Sequence, residues 1–461
     1  DARRARTAAL AKQADRKIFL TAYAATKGAM VTTGSAVMNP FAGGGQNNLY
    51  RCFIDLSFRQ IAPFGYAALI HQDGHLNDPK SGLFRRAWYG RIVKHFEFSN
   101  MLKKKNFAEV NHITRFSLNI YRGKKQAIDF WQFTNAFLAS QIEDSFRHDG
   151  IGSLPQQRAM DGSWETRGHR DRIVHVDSAA LQAIHGLSEE ESVPINETRL
   201  IQPYSAKMLE VFRAMASASS LSEAVSTVSK SQVEAKRETI VSGWQMNRIW
   251  DETNAQKDGT ICRETGFQPS AQTQIISGPM FYVGNPLYKT PRALSRTHLD
   301  YDPLNLDMLP NDYRPRTNYA PACEISIYKE RLTKCRWDPT RSHSDFYRVA
   351  FRAMISLTAE RSLIAALVPP GVAHINSVQS VSFRLNADLL CLVTSTASLP
   401  YDFLTKATGK QNLHDHEISG LPFVEPGDTA KHRALRLACL TVAYTDLWND
   451  CAHSLNPLPW H

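Results

Sequence analysis

The sequence predicts an α/β fold whose first part is the closing half of a doubly wound sheet. One observation is a Pro-x-Gly turn at residues 63–65 followed by five apolar residues, which is typical of a turn leading into a buried strand. A second is the segment 113–121, where Phe116, Leu118 and Ile120 alternate with polar residues as they would in a strand. Helical patterns lie before and between these segments, so the expected order is strand, helix, strand, strand.

The spacing of apolar residues predicts each element of this part. Residues 2–30 predict a helix because alanine and long charged residues dominate them. A second helix is expected at 49–61, where Leu49, Phe53 and Leu56 lie on one apolar stripe. The same reasoning predicts a short helix at 82–88, a strand at 92–98 and a helix at 129–148.

Beyond residue 148 the pattern changes, and three segments are expected in all. Residues 1–148 carry the sheet, residues 149–260 form a connecting region with a helical insert, and residues 261–461 form a mixed α/β domain. The insert is expected at 204–255, where an apolar stripe persists through a serine-rich stretch. In the last segment the predicted elements are a helix at 344–355, strands at 363–369 and 388–395, and a helix at 430–451.

Basic charge is concentrated at the start of the chain. Residues 1–130 hold 21 Lys and Arg against 8 Asp and Glu, a net charge of +13. Residues 131–461 hold 33 against 36, a net charge of −3, and the two sum to the +10 of the whole chain. Such asymmetry is typical of a surface that binds a polyanion such as nucleic acid. A solvated surface or an acidic partner subunit would give the same charge.

The cysteine and histidine patterns exclude several classes of site. Seven cysteines without a Cys-x-x-Cys spacing predict reduced thiols in a cytoplasmic protein, and neither a disulfide framework nor a zinc site. His414 and His416 form a close pair without an obvious third ligand, so no metal site is predicted. No apolar run approaches the ~20 residues of a membrane-spanning helix, so no membrane contact is expected.

Two basic clusters flank the predicted strand at 113–121. They are Lys103, Lys104 and Lys105 before the strand, and Lys124 and Lys125 after it. Clusters at both ends of one strand predict a rim that contacts DNA phosphates. Two solvated loops are the alternative interpretation.

Several short motifs follow one another in an order that resembles a known family. They are Asn48-Leu-Tyr50 opening a helix, the turn and strand at 63–74, Phe96-Glu-Phe-Ser-Asn100, Phe107-Ala-Glu-Val110 and Arg115-Phe-Ser-Leu118. This order is similar to that of the gamma-class N6-adenine DNA methyltransferases of type IIG restriction–modification enzymes and of related phage-defence systems of the BREX and DISARM kind. The segments 278–292 and 347–371 look like parts of the target-recognition domain of these enzymes.

The resemblance implies the C-terminal half of a Rossmann-like methyltransferase sheet, followed by a mixed α/β target-recognition domain with a helical insert. It also implies that Phe116 stacks on the flipped adenine. A base pulled from the duplex loses its stacking and needs a replacement π-face. A role for Phe116 as a core strand residue is the alternative.

The resemblance also points to DNA contacts in the last segment, because arginine can pair bidentately with guanine and lysine can contact phosphates. The candidates are Lys289, Arg292, Arg348, Arg352 and Arg361. For Arg352 and Arg361 the alternative is a buried ion-pair network near Glu360.

The S-adenosylmethionine motif and the catalytic Asn-Pro-Pro-aromatic tetrad of the family are missing from the sequence. In the gamma order both precede residue 1, so we expect the C-terminal part of a longer methyltransferase, or a split subunit, completed by the N-terminal half in cis or in trans. The missing half would bind most of the S-adenosylmethionine, and the expected partners are double-stranded DNA and other defence-system subunits. This chain alone is expected to bind DNA without methylating it. The alternatives are a non-catalytic DNA-binding specificity subunit and a structural subunit with an acidic partner.

Overall fold

The computed structural model describes residues 7, 11–42, 48–102, 106–111, 114–156, 158–189, 192–229, 239–247, 249–282, 289–356, 360–408, 412–456 and 459. Its mixed sheets and helices confirm the α/β class. The chain divides into two compact units, unit 1 at Asp1–Ala216 and unit 2 at Ser217–His461. The boundary lies inside the segment 149–260 that was expected to connect the other two. Among the described residues no helix is long and apolar enough to cross a membrane.

Unit 1 is built around a five-stranded sheet. Its strands are β1 (Tyr66–His71), β2 (Ile92–Ser99), β3 (Arg115–Arg122), β4 (Asp129–Ala136) and β5 (Val174–Asp177). The α-helices described in this unit are α1 (Gln13–Gly34), α2 (Leu49–Gln60), α3 (Gly74–Asn77), α4 (Gly82–Tyr89), α5 (Ala139–Arg147), α6 (Ser178–Ser188) and α7 (Ala206–Ala216). Short 3-10 helices occur at Pro79–Ser81, Arg170–Arg172 and Ile195–Glu197.

The strand order of this sheet is β1-β3-β2-β4-β5. β3 is antiparallel to both β1 and β2, so β1 and β2 run in the same direction, and β4 is parallel to β2. Parallel strands need a crossover connection, which α3 and α4 provide between β1 and β2. The carboxyl ends of β1, β2 and β4 therefore lie at one edge of the sheet together with the amino end of β3. We call this edge the carboxyl edge.

The two faces of the sheet are unequally covered, and on β3 the polar side is the more buried one. The side chains of Ser117, Asn119 and Tyr121 are 0% exposed. The alternating Phe116 is only partly buried, and Ile70 on the neighbouring β1 is 57% exposed. The predicted strand is confirmed, but its most buried side carries hydroxyl and amide groups.

The turn before β1 explains the glycine after β3. A Cβ added at Gly123 would lie 2.1 Å from the carbonyl oxygen of Pro63. The N–H of Gly123 donates to the carbonyl oxygen of Gly65 at 3.3 Å. The predicted turn at 63–65 is therefore confirmed, and only a glycine fits against it without displacing backbone.

Unit 2 contains two four-stranded sheets, of order β18-β10-β13-β9 and β17-β16-β19-β8, and the two-stranded pairs β6-β7, β11-β12 and β14-β15. The strands are β6 (Ser226–Ser229), β7 (Thr239–Ser242), β8 (Trp244–Asn247), β9 (Ile261–Gly266), β10 (Ile275–Ile276), β11 (Lys289–Pro291), β12 (Tyr301–Pro303), β13 (Thr317–Pro321), β14 (Lys334–Cys335), β15 (Asp338–Ser342), β16 (Arg348–Arg352), β17 (Ala365–Val368), β18 (Ala373–His374) and β19 (Val378–Phe383).

The α-helices described in unit 2 are α8 (Leu221–Ala224), α9 (Glu252–Lys257), α10 (Ile325–Glu330), α11 (Asn386–Ala397), α12 (Leu399–Ala407), α13 (Asp415–Ser419), α14 (Asp428–Ala438) and α15 (Thr445–Ala452). Short 3-10 helices occur at Ala271–Thr273, Gly278–Met280, Leu306–Met308, His343–Asp345 and Val442–Tyr444. The central helix is α11, which packs against β16, β17 and β19.

Most predicted elements of unit 1 are confirmed within a few residues, but the helix predicted at 129–148 is wrong in its first half. There the chain forms β4, and only its end forms α5. Phe130, Trp131 and Phe133 favour a strand, and β4 is held between β2 and β5.

Two predictions for unit 2 are wrong in type. The helix predicted at 344–355 is replaced by the 3-10 helix His343–Asp345 and then by β16, which lies between β17 and β19. The strand predicted at 388–395 is the helix α11. Its residues 389–396 are all buried, so no polar face marks the helical period in the sequence.

Two other predicted helices are interrupted. The region 204–255 holds α7, α8 and α9 but also the strands β6, β7 and β8. The region 430–451 holds two helices, α14 and α15, separated by Val442–Tyr444. The strand predicted at 363–369 is confirmed as β17.

Candidate functional site

The carboxyl edge of unit 1 carries two groups of side chains. The first is a polar cluster of His71, Asp73, His75, His95 and Ser117. The second is an aromatic cluster of Phe98, Phe107 and Phe116. In open α/β sheets ligands bind outside the carboxyl ends of the strands, so this edge is the natural place for a site.

The polar cluster is built where β1 ends. His71 is the last residue of β1, Asp73 lies in the following loop, and His75 lies in the first turn of α3. The Oδ2 atom of Asp73 is 3.0 Å from Nε2 of His95, and Oδ1 accepts a hydrogen bond of 2.5 Å from the Ser117 hydroxyl. Each of His71, Asp73 and His75 offers one ligand atom, and the three atoms lie within 4.8 Å of one another.

His75 is enclosed by aromatic rings. Its ring centroid lies 5.1 Å from that of Phe84, 5.8 Å from that of Trp88 and 5.9 Å from that of Tyr50. The side chain is 0% exposed, and neither ring nitrogen has a hydrogen-bond partner among the described residues. Buried polar atoms are nearly always paired, so this imidazole is unusual.

Burial and mutual proximity set the charges of the cluster. Burial lowers the pKa of His75 well below its usual value, and it also lowers the pKa of His71. Burial alone would raise the pKa of Asp73, but the neighbouring His95 and the other histidines outweigh it and hold that pKa at about 2. The cluster therefore places the Asp73 carboxylate beside the imidazoles of His71 and His75, which burial favours in the neutral form.

Two buried arginines fix the loop that follows β1. Arg51 donates to the Ser81 hydroxyl at 2.7 Å and forms an ion pair of 3.0 Å with Asp78. Arg85 donates to the carbonyl oxygens of His75 and Asp78. Because these bonds hold main-chain and side-chain atoms of the loop, the position of His75 is determined by the fold.

The aromatic cluster lies where β2 and β3 pair. The rings of Phe98 and Phe116 are stacked, with centroids 5.4 Å apart and an angle of 5° between their planes. Phe107 meets Phe116 edge to face at 4.8 Å and is 41% exposed. The buried Asn100 side chain holds Phe107 in place, because it bonds both the N–H and the carbonyl oxygen of that residue. One face of Phe116 is thus occupied, and Phe107 is the more accessible ring.

A cation precedes Phe116 on β3, and its side chain starts on the opposite face of the sheet from these rings, because successive side chains of a strand alternate between faces. Arg115, whose side chain is 59% exposed, donates to the buried Glu97 carboxylate at 3.1 Å. The other oxygen of Glu97 accepts at 3.1 Å from the main-chain N–H of Asn135, a residue with a φ of 55° at the end of β4. An arginine anchored in this way can reach an anionic ligand with its remaining donors.

Comparison with known proteins finds similarity to two solved structures. One is the type IIG restriction endonuclease BpuSI, with 10% identity, a TM-score of 0.27, and coverage of 84% of this chain and 43% of that one. The other is a nuclease-deletion mutant of the Type ISP restriction-modification enzyme LlaGI in complex with a DNA substrate mimic, with 10% identity, a TM-score of 0.28, and coverage of 84% and 30%. This chain thus spans less than half of either. No family model and no curated protein matches the sequence.

The lysines predicted to form a rim have different environments. Lys103, Lys104 and Lys105 lie outside the described residues. Lys124 is exposed, as a phosphate contact requires. Lys125 donates to the carbonyl oxygens of Ile92 and Asp129, and burial lowers its pKa to about 8. Lys125 therefore joins the starts of β2 and β4.

The candidates in unit 2 also differ in access to solvent. The Nζ atom of Lys289 lies 4.2 Å from the ring centroid of Tyr282. The exposed Arg292 forms an ion pair with Asp302, with 2.8 Å between Nε and Oδ1. Arg348 corrects the expectation, because it is 0% exposed and donates to the carbonyl oxygen of Val372, so it offers no nitrogen to DNA in this structure.

The remaining two arginines are partly buried. Burial lowers the pKa of Arg352. Arg361 donates to carbonyl oxygens at the end of α11, at 3.2 Å for Ala397, and lies 3.5 Å from the Asp402 carboxylate. The ion pair proposed as the alternative for Arg361 therefore exists, but its partner is Asp402 rather than Glu360.

Sequence reasoning missed the polar cluster and two exposed residues at the carboxyl edge, Phe107 and Arg115. The signal for the cluster was present as His71-x-Asp73-x-His75 directly after a predicted strand. Phe107 and Arg115 were noted as motif residues, but their roles as accessible ring and anchored cation depend on contacts with Asn100 and Glu97 that no spacing reveals.

Proposed function

We propose that this chain supplies the base-holding edge and the DNA-recognition domain of a site-specific, S-adenosylmethionine-dependent DNA adenine-N6 methyltransferase of a prokaryotic restriction or phage-defence system. The observation that carries the proposal is the aromatic cluster at the carboxyl edge. The anchored Arg115 lies at the same edge, at the start of β3, with its side chain on the other face of the sheet. An extruded base needs a π-face to replace its lost stacking, and the backbone that carries it needs a cation. Phe116 and the more accessible Phe107 would provide the stacking surface.

The cofactor itself is assigned to the missing half. A cofactor loop in a doubly wound sheet follows an early strand and opens a helix. The first strand that the structure describes is β1, and the described residues before it form the helices α1 and α2. We therefore assign S-adenosylmethionine to that half and derive no step through it. Holding the extruded amine in position is the contribution of this chain.

Exposed apolar surface in unit 1 supports a missing half. No described residue of α1 is buried, and even the apolar Ile18 on this helix is 69% exposed. On α2 the stripe that includes Leu49 and Phe53 faces outward, while Ile54 and Phe58 are the buried apolar residues. β1 lies at the end of the sheet, with β3 as its neighbour in the described part. Apolar surface of this extent marks a contact with another protein segment.

The charge distribution supports DNA as the partner. The net charge of +13 in residues 1–130 would neutralise phosphates, and each neutralised phosphate releases counterions. Exposed cations of unit 1 include Arg115 at the carboxyl edge and Lys124 at the opposite edge of the sheet, after the end of β3. In unit 2 Arg292 is the exposed cation among the candidates, and Lys289 is partly buried against Tyr282; both would contact phosphates or base edges.

The proposal is tested by measuring the affinity of the purified chain for duplex DNA over a series of salt concentrations. We expect the logarithm of the binding constant to fall linearly with the logarithm of the salt concentration, at about 0.9 per phosphate contacted. Lys124→Ala should reduce this slope by about 1. The matched control is Lys207→Ala, because Lys207 is 70% exposed but lies 3.6 Å from Asp171 and belongs to the segment with net negative charge.

A methylation assay with the same protein completes the test. We expect no transfer of a methyl group to DNA by this chain alone, and transfer once the missing half is supplied. Methylation by the purified chain alone would overturn the assignment of the cofactor to a missing half. Absent or salt-insensitive DNA binding, together with stoichiometric binding of an acidic protein, would replace the proposal with a structural subunit.

A further inference from the structure

The residues His71, Asp73 and His75 alternate in sequence and converge in space. The end of β1, the following loop and the first turn of α3 each contribute one of them. Their ligand atoms lie within 4.8 Å of one another, and the two histidines are buried. Two imidazoles and a carboxylate are the donors that first-row transition metals take in three-ligand protein sites.

The orphaned His75 is the independent observation that points to a ligand. Its side chain is 0% exposed, and both of its ring nitrogens lack a hydrogen-bond partner in the part of the chain that is described. Its main-chain N–H is bonded to the Tyr50 hydroxyl at 3.1 Å, and Arg85 holds its carbonyl oxygen. The backbone is thus satisfied, while the imidazole is presented with no protein acceptor or donor. A metal ion would use one of these nitrogens.

The other two residues already have the outer contacts that metal ligands usually have. Nε2 of His71 lies 2.7 Å from the Tyr121 hydroxyl, and its Nδ1 lies 3.9 Å from Oδ1 of Asp73. Asp73 is held by Ser117 and by His95. Hydrogen bonds from the far side of a ligand fix its orientation and tautomer. A metal on Nδ1 of His71 would replace the present 2.8 Å contact of that atom with the carbonyl oxygen of Gln72.

We propose that His71, Asp73 and His75 bind one divalent transition-metal ion at the carboxyl edge of unit 1. Metal–ligand distances near 2.0–2.2 Å place tetrahedral ligand atoms about 3.4 Å apart, so closure from the present spacing needs side-chain movements of about 1 Å. Imidazole donors favour Zn²⁺, Fe²⁺ or Co²⁺ over Mg²⁺ and Ca²⁺, which prefer all-oxygen sites. The fourth position would be taken by water or by His95, which already lies against Asp73. This site does not depend on the proposed function.

The experiment uses the full chain, stripped of metal by a chelator and dialysed. Zn²⁺ binding is measured by calorimetry and by elemental analysis, and Co²⁺ is added separately because its visible absorption reports four-coordinate nitrogen and oxygen ligands. We expect one equivalent of either metal to bind. We also expect the thermal midpoint of the protein to rise with Zn²⁺ concentration, because only the folded state presents the site.

Variants separate this site from adventitious binding by other histidines. His75→Phe keeps the aromatic packing and should weaken Zn²⁺ binding by more than about 100-fold, since even loss of an outer partner costs about 10–100-fold. Ser117→Ala removes such an outer partner and should fall within that range. His416→Ala is the control, because it removes one member of the exposed pair His414 and His416. It should bind Zn²⁺ like the unmodified chain.

Asp73→Asn is the second ligand variant, and it keeps the proposal testable if His75→Phe does not fold. The proposal is overturned if the unmodified chain binds no stoichiometric Zn²⁺ or Co²⁺. It is also overturned if folded His75→Phe and Asp73→Asn retain full affinity, or if His416→Ala abolishes binding.

Discussion

Replacing Phe116 by alanine tests whether this ring is a packing residue, a stacking surface or both. Complete burial of a phenylalanine makes its truncation cost about 3–5 kcal/mol. Phe116 is only partly buried, but it stacks on Phe98 and meets Phe107 edge to face, and each aromatic pair adds about 0.5–1.5 kcal/mol. We therefore expect Phe116→Ala to lower the local stability of β3 by about 2–3 kcal/mol.

Amide hydrogen exchange is the suitable assay, because it reports β3 separately from the rest of the two-unit chain. Since about 1.4 kcal/mol corresponds to a factor of ten, peptides covering 115–122 should exchange about 30- to 150-fold faster in Phe116→Ala. Phe116→Leu keeps most of the volume and should cost less than about 1.5 kcal/mol, so its exchange should accelerate by no more than about tenfold. Unchanged exchange in Phe116→Ala would refute the packing argument.

The leucine variant also tests stacking on a base. A single-stranded oligonucleotide carrying 2-aminopurine offers an unpaired base that needs no extrusion, and aromatic stacking quenches its fluorescence. Stacking is worth about 1–3 kcal/mol per base, so Phe116→Leu should lose quenching while its exchange pattern stays close to that of the unmodified chain. Full quenching in Phe116→Leu combined with its loss in Phe107→Ala would transfer the stacking role to Phe107.

Two further predictions concern single positions in the two units. Gly123→Ala forces a Cβ to within 2.1 Å of a backbone oxygen and should destabilise unit 1 by several kcal/mol. At Gly28 no described atom lies within 4 Å of an added Cβ, so Gly28→Ala should be neutral or stabilise α1 by up to about 1 kcal/mol. Hydrogen exchange of β1 and β3 peptides should accelerate only in Gly123→Ala, and equal rates in the two variants would contradict the close approach. Arg348→Met replaces a buried cation by an apolar chain of similar length, and two nitrogens of that cation lack partners among the described residues. We therefore expect stability to be kept or raised and DNA affinity to be unchanged. A tenfold loss of DNA affinity in a folded Arg348→Met would contradict this and show that Arg348 leaves its buried position to contact DNA.

The start of the sheet could be predicted from the sequence because local signals and tertiary environment agree there. The turn at 63–65 comes directly before β1. The helix predicted at 82–88 is confirmed as α4, which begins at Gly82. Strands β2 and β3 were placed within two residues by their β-branched and aromatic content. Where local sequence signals and tertiary environment disagree, the tertiary environment determines the secondary structure. Residues 389–393 are continuously apolar, which fits a buried strand, yet they belong to the helix α11, which packs against β16, β17 and β19 and against α12, α14 and α15.

The candidate site was predictable only in part. The order of motifs directed attention to Phe116, but its stacking partner Phe98 is known only from the register of β2 and β3, which pairs these two residues directly. Basic residues can be counted from the sequence, but their exposure to solvent cannot be read from it. Arg348 and Lys125 donate hydrogen bonds to backbone carbonyl oxygens. A buried Lys or Arg that donates to backbone carbonyl groups cannot be distinguished in the sequence from an exposed one that contacts a phosphate. The two differ in burial, which depends on the tertiary structure.

The inverted burial of β3 bears on both proposed sites and on the partner half that we propose. Burying Ser117 and Asn119 while Phe116 and Ile70 keep solvent contact costs stability if unit 1 is considered by itself, because apolar surface is left in water and polar groups are desolvated. Both costs are explained if each face has another purpose. On the polar face Ser117 orients Asp73, the carboxylate that we assign to a metal ion. On the apolar face the cost disappears once another segment covers β1 and β3. The same strand would therefore become fully buried, with its polar side at the metal site, when the partner half is bound, and exchange at 115–122 should slow further on that binding.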